Sequence, residues 1–135
     1  MKLNKAILTM VCGLSILTLV GCSHAVRISA YPQKQMIARG NLTASDIEQN
    51  IRAAVERNTR AGWYVEKSDQ NKVTAGFTHG RHYLQVTYFI NGSQVYSQIT
   101  DSRNLNQRGD VIHKNAMAWK LRLDKYVYVQ LAKAR

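Results

Sequence analysis

The chain has 135 residues, a formal net charge of +11, 45% hydrophobic residues, one proline and two cysteines. This composition excludes collagen-like, disulfide-scaffold and wholly disordered chains, and the length allows one domain. An excess of 19 Lys and Arg over 8 Asp and Glu directs attention to phosphate-bearing partners, either nucleic acid or a membrane surface.

Residues 1–21 open with Lys2 and Lys5 and then run apolar from Ala6 to Val20 without an acid. A charged start before a short apolar stretch has the pattern of a secretory signal and is short for a membrane span. The stretch ends in Leu19-Val20-Gly21-Cys22, which resembles the lipobox of bacterial lipoproteins. In that family the signal is cut before the cysteine, which then carries a thioether-linked diacylglycerol and an N-acyl chain. The resemblance covers about the first 22 residues and puts Cys22 at the lipidated position. An ordinary secretory signal with an incidental cysteine is the competing reading.

The lipoprotein resemblance divides the chain into a signal peptide (1–21), a lipidated cysteine with a tether (22–43) and a folded domain (44–135). Loss of Lys2 and Lys5 with the signal lowers the charge from +11 to +9. Cys12 leaves as well and Cys22 is consumed by lipid, so no thiol remains for a disulfide, a nucleophile or a metal. In Gram-negative lipoproteins an Asp after the cysteine favours inner-membrane retention. The residue here is Ser23, which implies the outer membrane, periplasm-facing. No cofactor is expected beyond the covalent acyl groups.

Residues 23–43 lack clear periodicity and hold Pro32, which suits a tether pinned in part by Val26, Ile28, Met36 and Ile37. An edge strand over 26–31 is the alternative. Ser45-Asp46-Ile47-Glu48 fits a capping box, and Ile47, Ile51, Ala54 and Val55 follow with the spacing of an apolar helical stripe. Gly62 is the natural stop. Strands then alternate over 63–65, 73–77, 84–90 and 95–99. Their breaks fall at 68–71, at His79-Gly80-Arg81 and at Asn91-Gly92, a type I′ hairpin signal. Such short connections forbid crossover helices and predict an antiparallel meander.

A polar loop is expected over 101–110, with Asp110 as N-cap of a long last helix. Ile112, Ala116, Trp119, Leu123, Val127 and Leu131 mark its buried stripe, widened by Met117, Leu121 and Tyr128. The expected fold is α+β: a two-layer sandwich of helix, three- to four-stranded meander and helix, both helices covering one sheet face. This order resembles small bacterial lipoproteins of uncharacterised role, with Gly62-Trp63 closing the first helix and Ile112-His113 opening the last. That resemblance brings no activity.

Several side chains invite a chemical reading. His79 and His82 flank a tight turn at ligand-like spacing, with His113 or Asp101 as further ligands of a metal. Ser97, Thr100, Asp101, Ser102 and His113 supply the residue types of a hydrolase, without a nucleophile elbow. A metal-dependent or hydrolytic periplasmic enzyme is therefore the alternative function. Tyr83, Phe89 and Tyr96 fall on the sheet face opposite Leu84 and Val86, where exposed aromatics suggest a partner surface. Basic residues are spread over the tether (Arg27, Lys34, Arg39), the first helix (Arg52, Arg57, Arg60) and the last helix (Lys114, Lys120, Arg122, Lys125).

The leading expectation is a non-catalytic, lipid-anchored module that docks an envelope protein or an anionic polymer. Tyr83, Phe89 and Tyr96 would supply apolar contact, and Arg57, Arg60, Lys120 and Arg122 the charge. No nucleic-acid recognition motif is present, so nucleic acid is not an expected partner.

Overall fold

A computed structural model describes residues 24–33 and 35–135. Residues 1–21, read above as a signal peptide, and Cys22, Ser23 and Lys34 lie outside the described residues. The chain runs β1 (Ala25–Arg27), a 3-10 turn (Ile28–Ala30), β2 (Met36–Ile37), α1 (Ala44–Glu56), a second 3-10 turn (Thr59–Ala61), β3 (Trp63–Ser68), β4 (Lys72–His79), β5 (His82–Asn91), β6 (Gln94–Arg103), β7 (Val111–His113) and α2 (Lys114–Lys133). It is an α+β fold with a five-stranded antiparallel sheet, order β2-β6-β5-β4-β3, and a two-stranded ribbon of β1 and β7.

The cap of the first helix lies two residues before the expected one. Thr43 Oγ1 accepts from the Asp46 amide at 3.1 Å, and Asp46 Oδ2 accepts from the Thr43 amide at 2.8 Å, closing a capping box. These bonds to Thr43 hold the Asp46 carboxyl below its usual range. Glu48, expected in the box, instead accepts from Ser68 on β3 and pairs with Arg52 at 3.6 Å. Ile47, Ile51, Ala54 and Val55 are all buried, as their spacing required. The helix stops at Glu56, and Gly62 closes the 3-10 turn that follows. Its φ of +113° and a Cβ position 2.6 Å from the Thr78 carbonyl leave room for glycine alone.

The meander is longer and more regular than its apolar residues suggested. His79 pairs with His82 and Asn91 with Gln94, so the two loops are Gly80-Arg81 and Gly92-Ser93. Each has positive φ at its glycine only, the pattern of a II′ turn, which corrects the I′ expectation for Asn91-Gly92. β6 continues through Asp101, Ser102 and Arg103 because these pair with β5, so the polar loop begins later than expected. Two β-bulges interrupt the ladders. One leaves Glu66 unpaired between Val65 and Lys67, the other Thr100 between Ile99 and Asp101.

Residues 25–27 and 36–38, within the span read as tether, are built into the fold. β1 pairs with β7, β2 pairs with the start of β6, and Met36 and Ala38 are buried in the core. The β1–β7 pairing also overturns Asp110 as a helix cap. Residues 111–113 are strand, Asp110 accepts from the amide and hydroxyl of Ser29, and His113 caps α2 by accepting from the Asn115 amide at 3.2 Å. Those Ser29 bonds lower the Asp110 carboxyl below its usual range.

The core joins the two helices to one side of the alternation: Val73, Ala75, Phe77, Leu84, Val86 and Tyr88 on the sheet, Ile51, Val55, Leu123 and Val127 on the helices. Trp63 and Trp119 both pack on Phe77, with ring centroids 4.9 and 4.7 Å from it. The stripe of α2 is Ala116, Met117, Lys120, Leu123, Val127 and Leu131. Leu121 and Tyr128, expected to widen it, are exposed.

Candidate functional site

The alternation that buries Leu84, Val86 and Tyr88 turns Tyr83, Gln85, Thr87 and Phe89 the other way, onto a face that also carries Tyr64, Glu66 and Tyr96. Phe89 and Tyr96 are direct cross-strand partners, and their rings stack at 5.4 Å with 21° between planes. Such pairs contribute about 0.5–1.5 kcal/mol beyond their burial. Tyr64 and Tyr96 stand 39% and 38% exposed.

Beside the stack lies a connected polar network. The bulge at Glu66 brings its carboxylate over Gly76, where a Cβ would lie 2.3 Å from Glu66 Oε1 and 2.6 Å from Tyr64 Cζ. The Tyr83 hydroxyl donates to Glu66 Oε1, and Gln85 Nε2 donates to Glu66 Oε2 at 2.7 Å. Thr100, the second bulge residue, donates to Gln85 Oε1 at 2.7 Å and shares a 2.8 Å bond with Thr87. The Arg103 guanidinium caps the Tyr83 ring at 4.5 Å. Desolvation first, then the Glu66 hydrogen bond and charge, push the Tyr83 phenol up to about 12. Burial and Glu66 also raise Tyr64, opposed by Arg103. Near neutral pH Tyr83 is therefore a fixed donor to Glu66 and no base. The face offers ring surfaces, a carboxylate, a carboxamide and a guanidinium, groups that can hydrogen-bond hydroxyls, with the guanidinium as its cation.

The expected partner residues do not form one surface. Phe89 and Tyr96 stand together, while Tyr83 is engaged with Glu66, Gln85 and Arg103. Arg57 Nη1 donates to Gln130 on α2 at 2.7 Å, on the helical side of the molecule. Arg60 and Arg122 are exposed. Lys120 faces inward and is only 4% exposed, so it is unavailable to a polymer lying on the outer face of the helix. Its Nζ donates to Asp124 Oδ2 at 2.7 Å and to Ser97 Oγ at 2.9 Å. Asp124 Oδ1 accepts from the hydroxyls of Tyr88 and Ser97 at 2.7 and 2.8 Å. Burial and then the Asp124 charge push the Tyr88 phenol well above its usual range. Ser97 Oγ thus accepts from Lys120 and donates to Asp124, which ties the three side chains together.

The histidines are engaged separately. His79 and His82 pack on Trp119 at ring distances of 5.8 and 6.1 Å, and His82 Nδ1 is bonded to the Asn104 carbonyl at 2.7 Å. His113 caps α2 and stacks on His24 at 6.0 Å. Among the described residues no group of three or more His, Cys, Asp or Glu could hold a metal ion. Among them also, no helix is long and apolar enough to cross a membrane.

Sequence reasoning missed Tyr64, Glu66, Gln85, Thr100 and Arg103 as members of the network, and Asp124 as the partner of Lys120. Alternation alone places Tyr64 on the Tyr83 face. The i, i+4 spacing of Lys120 and Asp124 was also visible, but not that it points inward. No family model matches the chain, and no curated protein or solved structure matches it significantly.

Proposed function

We propose that this chain is a bacterial envelope lipoprotein, held at the periplasmic side of the outer membrane by acyl groups on Cys22. Its body is a non-catalytic binding module whose open sheet face docks an anionic envelope polymer. In this reading the body is a two-layer sandwich, with both helices on the Leu84 face. Support for that layering comes from the burial of Leu84, Val86 and Tyr88 on one face of β5 and from Tyr64 and Tyr96 standing exposed on the other, although Thr87, between Val86 and Tyr88, is buried. The observation that carries the functional reading is the pre-organised open face itself. Its stacked Phe89–Tyr96 pair lies beside a Glu66–Tyr83–Gln85 network capped by Arg103. Rings and fixed polar groups lose little entropy on binding. The net positive charge supplies the long-range attraction.

The anchor rests on the order of charge, apolar run and lipobox ahead of Cys22, and several acyl chains at roughly 0.8 kcal/mol per buried CH₂ make it near-permanent. Metabolic acyl labelling should mark the wild-type chain and be lost in Cys22→Ser. Retention of label in that variant would remove the anchor from the account. Binding is measured with detergent-solubilised full chain and a fluorescent anionic polysaccharide. Affinity should fall steadily with added salt and by about tenfold in Phe89→Ala. A neutral polysaccharide of equal length bound equally well would refute the charge-assisted reading.

A further inference from the structure

A groove of about 450 Å³ is lined by α2 and by described residues that precede or begin β2. On one wall stand Tyr31, Pro32 and Met36, on the other Leu121 and Val129. The helix residues from 120 to 129 span about 13 Å at 1.5 Å per residue. The walls are mainly carbon, and the volume lies within the roughly 300–1,000 Å³ of small-molecule sites.

Among the described residues the charged groups that line the groove are all on α2. Lys120, Asp124 and Lys125 all line the groove, two cations against one anion. An ammonium carries three donors, and among the described residues Lys120 spends two, on Ser97 and Asp124. Its nitrogen is fixed by those bonds and almost fully buried, yet the residue lines both this groove and the adjoining cavity beneath Tyr31 and Gln33. Lys120 therefore keeps one donor beyond these two bonds, and Lys125 stands exposed on the same groove.

We propose that this groove binds a single-chain amphiphile with an anionic head. The alkyl chain lies along Met36, Leu121 and Val129, and the head is drawn by Lys120 and Lys125. A neutral amphiphile would bury the same carbon but leave the excess cation unpaired. A bare anion would gain the charge but not the walls.

The test uses the full chain in zwitterionic lipid nanodiscs with a photoreactive fatty acid, and crosslinks are mapped by mass spectrometry. Label should fall on the peptides carrying residues 31–36 and 121–129. Laurate should compete at least tenfold better than dodecanol. Leu121→Glu, a change at an exposed position that leaves the fold intact by circular dichroism, should abolish labelling. Lys125→Glu should reduce the laurate advantage about tenfold while sparing competition by dodecanol. Label scattered over the chain, label indifferent to Leu121→Glu, or equal competition by laurate and dodecanol would each overturn the proposal.

Discussion

Replacing Asp124 with alanine should be among the most damaging single changes in the body. Its carboxylate takes three donors, from Lys120, Tyr88 and Ser97. The side chains of Lys120 and Asp124 are only 5% and 15% exposed, so the pair lies mostly out of water. Removing one member leaves a buried ammonium with Ser97 alone, and such breaks cost about 3–5 kcal/mol. The freed Tyr88 hydroxyl is part of that sum and not an addition to it. At roughly 4 °C per kcal/mol for a domain of this size, the melting temperature should fall by about 12–20 °C. Urea unfolding of the full chain, followed by the fluorescence of Trp63 and Trp119, measures the loss directly. The double variant Lys120→Met/Asp124→Leu removes both charges, and should recover most of the stability, leaving a deficit of about 1–2 kcal/mol from the unpaired hydroxyls. A cost below about 1 kcal/mol for Asp124→Ala would refute the reasoning. So would a double variant as unstable as the single one.

Two further expectations test the local structure. Thr43→Ala should cost about 0.5–2 kcal/mol and Ser45→Ala under about 0.5 kcal/mol, because the cap is Thr43; denaturation midpoints in the reverse order would return the box to Ser45 and Glu48. Tyr83 is raised to about 12 in the folded chain from the ordinary 10.0, so its contribution to stability is complete below pH 10 and is lost as the pH rises through about 12. Glu66→Gln removes the neighbouring charge and should move the Tyr83 step, isolated by comparing tyrosinate absorbance with Tyr83→Phe, back toward 10. A step that stays in place would mean that Glu66 does not act on the phenol.

Much of the scaffold was legible because burial imposes a period on the sequence. The stripe Ile47, Ile51, Ala54, Val55 and the alternation of Leu84, Val86 and Tyr88 against Tyr83 and Phe89 need only geometry, and the structure has both. Other features depend on contacts distant in sequence. Asp110 reads as a cap until β1 arrives from residues 25–27 to pair with β7 and Ser29 claims the carboxylate. Asp101 reads as loop until its pairing with Gln85 extends β6. Lys120 reads as a surface cation because nothing local shows Ser97 and Asp124 waiting on the inner side. On the open face the three aromatics could be found by alternation, but the bulges that bring Glu66 and Thr100 into the network follow from ladder register, which alternation does not encode.

Oxidative side-chain footprinting of the full chain with and without the anionic polysaccharide tests the docking claim most directly, since exposed tyrosines stand both on the sheet and on α2. Tyr64 and Tyr96 are 39% and 38% exposed on the sheet face, and Tyr126 is 47% exposed on α2. The account predicts that polymer protects Tyr64, Phe89 and Tyr96 and leaves Tyr126 unchanged. Protection of Tyr126 with the sheet face still open to oxidation would contradict it.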